Sequence, residues 1–183
     1  MLPADTVYGL ACEPDDKEAV RRMYALKRRD PGKSSAVMFF DISLALEAVP
    51  EAGPLTHEAI GRLMPGPVTV LVDNPAKRFP LACGENSTTL GVRVPLLKGA
   101  LEPLSEIRWP VVQTSANFAG EPDARTVGAV PIGIREGCDL VLDGGELTGI
   151  PSTVVDLRGY ESTRQWKMIR EGGLPLAVLE ELL

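Results

Sequence analysis

Basic residues and hydroxyls recur where this sequence ends a strand or a helix: Thr6, Lys27, Arg29, Arg93, Ser115, Asn117, Ser152 and Arg170. Each is unremarkable alone. Together they suit a polyanion held by side chains. Arginine offers a planar fork for phosphate or carboxylate, and lysine a mobile point charge. Catalysis by such a set is positioning plus charge stabilisation, with no protein nucleophile. The densest part runs from Arg21 to Lys33 and holds six of the 19 Lys and Arg residues in a chain of net charge −6. The same run would also suit the solvated end of a helix, where cations oppose the helix dipole. Arg93 stands between Val92 and Val94. A cation there must snorkel outward or find an anion.

Several chemistries are excluded. There is no Walker A pattern and no G-x-G-x-x-G. His57 is the only histidine, and no nucleophile elbow accompanies it, which removes a Ser-His-Asp triad. Cys12, Cys83 and Cys138 are too scattered for a zinc site or a disulfide framework and read as free thiols in a reducing cytoplasm. No dedicated metal site is expected. No apolar run is long enough to span a bilayer, so a cytoplasmic protein without a membrane partner is expected. A pI near 4.9 argues against a general nucleic-acid binder, although one local basic groove could still meet RNA.

The elements that must carry these residues alternate between strand and helix. Asp15 and Asp16 offer an N-cap to a helix with apolar positions at Ala19, Val20, Met23, Tyr24 and Leu26, and Pro31-Gly32 closes the cationic run after it. Strands are expected at 35–40, 68–72, 89–95, 110–113, 139–142, 152–156 and 165–169. Helices are expected at 41–48, from a Thr56 cap to Met64, at 96–107 with a break near Pro103, weakly at 124–136, and at 174–183. Residues 3–10 read as a polar, turn-like opening, and 73–88 as a long loop. The class is α/β in a single domain, a sheet covered by helices. Several connections are too short for strict βαβ crossovers, so the sheet should be mixed.

The ordered motifs resemble the YrdC-like threonylcarbamoyl-AMP synthase family. Pro3-Ala4-Asp5-Thr6-Val7-Tyr8-Gly9-Leu10 is similar to the family's opening. Lys27-Arg28-Arg29 matches its Lys-x-Arg, and Ser115-Ala116-Asn117 its Ser-x-Asn. Pro65 to Thr69, Val92 to Pro95, Asp143 to Gly145, Ser152 to Asp156 and Arg170 to Gly172 follow in family order. The resemblance covers nearly the whole chain, 1–183. It implies a twisted mixed sheet flanked by helices around a basic concave face. It also implies that ATP, L-threonine and bicarbonate give threonylcarbamoyl-AMP and pyrophosphate, with Mg²⁺ on the nucleotide. The product would feed N6-threonylcarbamoyladenosine (t6A) at position 37 of tRNA through a threonylcarbamoyl-transferase partner. The implied catalytic residues are Lys27 and Arg29. Lys27, Arg29, Thr89, Ser115, Asn117 and Arg170 would bind ATP, and Thr6, Arg93 and Ser152 would bind threonine.

Some positions depart from the family. Ala4 stands where a threonine is usual, Asp30 where a proline is common, and Pro151 where a glutamate is frequent. The family's usual N-terminal helix and strand are also missing ahead of the opening motif. A missing strand would leave a sheet edge exposed. The competing reading is a non-catalytic module of the same fold that binds tRNA or double-stranded RNA and needs neither ATP nor threonine.

Overall fold

The computed structural model describes residues 1–183. Eight strands form one mixed sheet: β1 (Leu2–Pro3), β2 (Tyr8–Cys12), β3 (Ala36–Met38), β4 (Val68–Asp73), β5 (Thr89–Arg93), β6 (Val111–Ser115), β7 (Thr153–Asp156) and β8 (Lys167–Arg170). Their spatial order is β1-β2-β6-β3-β5-β4-β7-β8. Only β3–β5 and β4–β7 are parallel pairs. The helices are α1 (Lys17–Leu26), α2 (Ile42–Glu47), α3 (Pro54–Leu63), α4 (Ile132–Glu136), α5 (Tyr160–Thr163) and α6 (Leu176–Leu182). None is long and apolar enough to cross a membrane.

Alternation along the strands explains the two faces. In β4, Val68, Val70 and Val72 are buried in the core, while Thr69 and Leu71 face the other way and line a cavity. Val37, Val92, Val112 and Val155 join the same core, and Val20, Met23, Ala45, Ile60 and Leu179 reach it from the helices. Burial of each valine, isoleucine, leucine or methionine among them contributes about 1.5–3 kcal/mol. The opposite face of the central strands carries Ala36, Gly91, Arg93, Gln113 and Ser115.

Four sequence expectations need correction. Residues 8–12 form an inner strand, β2, bonded to β6 with Gly9 opposite Ser115. Gly9 and Ala11 interrupt Tyr8 and Leu10 and no β-branched residue is present, so its composition hid it. Residues 139–142 form no strand; their only sheet-like bonds run from Leu142 N–H to the Met1 carbonyl at 3.0 Å and from the Met1 ammonium to the Leu140 carbonyl at 2.7 Å. One residue of partner is too little for a ladder. Residues 99–106 form 3₁₀ turns around Pro103 instead of an α-helix. Finally, α3 starts at Pro54 behind Gly53, whose φ of 83° suits glycine. Thr56 lies inside that helix, and its N–H donates to the Glu161 carboxylate at 2.9 Å.

Candidate active site

The cavity has a volume of about 230 Å³ and lies over the middle of the sheet. Its wall is polar. Arg29, Arg93 and Arg170 line it, and Asp123 is its one carboxylate. The floor is low because Ala36 and Gly91 face each other on β3 and β5. A Cβ on Gly91 would meet only ordinary contacts, the nearest being Ala36 Cα at 3.5 Å. Glycine here creates room; its backbone requires no special conformation.

The cationic run divides into separate roles. Lys27 caps the C-terminus of α1, and its carbonyl accepts from Ala119 N–H at 2.9 Å. That bond brings the loop after β6 against the helix end. Arg28 follows with φ of 52°, a left-handed conformation that reverses the chain, and its guanidinium lies 4.5 Å over the Phe118 ring. Lys27 itself is only 1% exposed. Its ammonium donates to the carbonyls of Ser115 and Asn117 and to Asn117 Oδ1. It therefore lies behind the cavity wall and braces the loop that forms it. Burial first, then the neighbouring Arg29, pulls its pKa down to about 8, against the pull of Asp123.

Arg29 reaches the cavity. One arm donates to the Ser34 carbonyl at 2.7 Å, while its buried Nε has no partner. Ser115 Oγ donates to Asn117 Oδ1 at 2.6 Å, and the Asn117 amide donates to the Glu121 carbonyl. Ser115 lines the cavity; Asn117 is buried beside Lys27.

At the other end, Arg93 is 4% exposed. It found its anion inside the chain: one arm donates to Asp5 Oδ1 at 2.6 Å and to Thr6 Oγ1 at 2.7 Å. The second Asp5 oxygen accepts from Leu96 N–H at 2.9 Å. Arg93 Nε remains buried without a partner. Thr6 is buried behind Arg93. Arg170 sits on the exposed edge strand and donates to the Ser152 carbonyl at 3.1 and 2.7 Å, and to Ser152 Oγ at 3.2 Å. Its pKa is lowered, first by desolvation and then by Arg93, with Asp123 opposing. Ser152 Oγ also meets Thr69 Oγ1 at 2.9 Å.

Of the residues expected from sequence, the cavity wall therefore takes Arg29, Arg93, Ser115, Ser152 and Arg170, with Lys27, Asn117 and Thr6 directly behind. Thr89 shares the face of Gly91 and Arg93 but lies beyond the cavity, where its Oγ1 accepts from Arg158 and Asn86 at 3.1 Å each. Sequence reading missed Asp5, Thr69, Gln113 and Asp123. Strand alternation could have found Thr69, and Asp5 could have been sought as the anion that Arg93 needs. Nothing local marks Asp123.

The family model for Sua5, YciO and YrdC, described as "Telomere recombination", matches residues 1–172. The chain belongs to the Sua5/YciO/YrdC family. A relative from Chromohalobacter salexigens, named threonylcarbamoyl-AMP synthase, is 36% identical over 168 residues, covering 89% of this chain and 88% of that one. A relative of the same name from Pyrococcus abyssi is 29% identical over 184 residues, all of this chain and 52% of that protein. This chain thus spans about half the length of the archaeal protein. The solved structure of P. abyssi Sua5 complexed with L-threonine superposes with a TM-score of 0.79 at 29% identity, over 99% of this chain and 52% of that one. The mixed sheet with flanking helices is the Sua5/YciO/YrdC fold.

Proposed function

We propose that this chain is a threonylcarbamoyl-AMP synthase, a nucleotidyltransferase that uses ATP, L-threonine and bicarbonate. The observation that carries the reading is three guanidinium groups, Arg29, Arg93 and Arg170, lining one cavity that holds a single carboxylate, Asp123. Excess positive charge at both ends of one cavity, Arg29 on one side and Arg93 on the other, suits a ligand with two anionic groups. An amino-acid carboxylate and a triphosphate meet that demand. The synthase name of the relatives and the bound L-threonine of P. abyssi Sua5 support the same choice.

The reaction is balanced without a protein nucleophile. The threonine amine, once deprotonated, attacks bicarbonate and releases water, which leaves a carbamate. A carbamate oxygen then attacks the α-phosphorus of ATP. The new O–P bond forms as the bond to pyrophosphate breaks, and pyrophosphate leaves with the electron pair. Arg29 would neutralise charge on the phosphates, with Ser115 beside it. Lys27 would keep Ser115 and Asn117 in place and add its positive charge from behind the wall. Arg93 would take the threonine carboxylate through its free edge, with Thr6 and Asp5 fixing its plane. Mg²⁺ would arrive with the nucleotide. The chain has no cluster of three metal-binding side chains, so the phosphates themselves would be its main ligands, with Asp123 the nearest carboxylate in the wall.

A cytoplasmic location and delivery of the adenylate to a tRNA-modifying transferase belong to the same reading. The alternative, an RNA-binding module without catalysis, is not favoured: the named relatives are synthases, and the chain is acidic overall. The test is pyrophosphate release by the purified chain with Mg²⁺, ATP, bicarbonate and L-threonine, with L-serine as control. Threonine- and bicarbonate-dependent release is expected. ATP turnover indifferent to both, or none at all, overturns the reading.

A further inference from the structure

One buried polar group in the cavity has no role so far. Gln113 on β6 is 6% exposed and lines the cavity, yet its carboxamide makes no hydrogen bond within the chain. The amide lies over Gly9 of β2: a Cβ built on Gly9 would fall 2.3 Å from Gln113 Nε2. Glycine at position 9 therefore keeps the space the amide occupies.

The register fixes where this amide stands. Gln113 is opposite Ala36, and Ala36 is opposite Gly91, so the three form one row across the floor. Ser115 is two residues along β6 to one side of that row, with Arg29 held at Ser34 on the same side. Arg93 is two residues along β5 to the other side. Each step is about 7 Å along a strand. Ala36 and Gly91 carry no polar side chain, so Gln113 is the polar side chain of this middle row.

We infer that Gln113 recognises the carbamate formed from the substrate amine, and holds it between the carboxylate at Arg93 and the phosphates at Arg29. This rests on the synthase reading above. A carboxamide offers a donor and an acceptor in one plane. A carbamate of the form R–NH–COO⁻ presents an N–H and an oxygen in one plane, so the two match with two hydrogen bonds. A carboxylate or a phosphate would use only the donor and would face the amide oxygen. Holding the carbamate oxygen toward the α-phosphorus is the positioning that converts two bound reactants into a near-attack pair. Gln113 is thus a substrate-touching residue selective for the one intermediate that contains the bicarbonate carbon.

The test compares Gln113→Leu, which keeps size and removes both hydrogen bonds, with the wild-type chain. Pyrophosphate release is measured against bicarbonate, threonine and ATP separately, with ATP affinity measured directly and thermal melting as the fold control. The expected result is a rise of about tenfold or more in the bicarbonate KM, or the corresponding loss of kcat, with ATP affinity unchanged. Gly9→Ala is the second variant, since its Cβ displaces the amide and the next contact is the Thr114 carbonyl at 3.1 Å, with no cation among its nearest neighbours. It should reproduce the bicarbonate defect and add nothing in the Gln113→Leu background. If Gln113→Leu fails to fold, Gly9→Ala alone decides. Unchanged bicarbonate dependence, a defect confined to threonine or to ATP, or additive effects in the double variant overturn the inference while leaving the synthase reading intact. Absence of threonine- and bicarbonate-dependent release in the wild-type chain instead removes the synthase reading, and this inference with it.

Discussion

Lys27 is the residue whose chemistry can be followed by pH. Its pKa is held at about 8, below the ordinary lysine value near 10.5, chiefly by burial. The unfolded chain keeps the ordinary value. Between the two the unfolded state binds more protons, so this group's contribution to stability rises with pH through that window. Activity that needs the ammonium moves the opposite way and falls above pH 8 or so. Urea midpoints and rates measured across this range should diverge in wild type, and Lys27→Met should flatten the stability trend. The same variant should lower threonine-dependent pyrophosphate release by about 10²-fold, in the range seen when one electrostatic donor is removed. Gly91 offers the complementary experiment. Gly91→Val has backbone room but fills the cavity floor, so it should melt near wild type while ATP and threonine binding, measured by calorimetry, fall about tenfold or more. Part of this was readable in advance: apart from Thr89, the cationic and hydroxyl residues singled out at element ends are brought by the fold to one cavity or directly behind it. Arg93 shows the limit. Its apolar neighbours announced a need for an anion, but only the fold reveals that Asp5, 88 positions away, supplies one.

Among the elements, the buried Arg93–Asp5 pair links β5 to the segment before β2. Arg93→Ala would strand the Asp5 carboxylate, whose side chain is 9% exposed, and should cost about 3–5 kcal/mol in urea unfolding. Arg93→Ala with Asp5→Ala together should recover part of that loss, because no charge is left buried alone. Tyr8 makes the corresponding link on the other face. Its hydroxyl donates toward Asp143 Oδ1 at 3.0 Å and the Gly145 carbonyl at 2.8 Å, and accepts from Gly144 N–H at 3.0 Å. Tyr8→Phe should cost about 0.5–1.5 kcal/mol by the same measurement, the net worth of such hydrogen bonding, because Asp143 keeps the Gly145 N–H and water can reach both residues. These two links explain why element prediction failed where it did. Periodicity finds α1 and β4, whose apolar stripes are local. It misses β2, whose apolar residues are interrupted by Gly9 and which is held by pairing with β6, and it invents a strand at 139–142, where the chain instead ties to Met1 and Arg22.

Across the molecule, ligand binding and stability are linked. A nucleotide that binds only the folded chain adds about 2.7 kcal/mol at one hundred times its Kd. For a chain of this size that raises the melting temperature by about 5–10 °C. ATP with Mg²⁺ should give such a shift, and raised salt should reduce it, because the cavity draws its anions by charge on a protein of net −6. No shift with ATP would count against the cavity as its site. The sheet order carries a separate consequence. Arg29, in the turn after α1, is made early, Arg93 on β5 midway, and Arg170 on β8 late, yet the three line one cavity. The cavity lining is complete only when β8 is present and paired with β7. A chain made only as far as residue 166 carries the first two of these guanidinium groups and lacks the third.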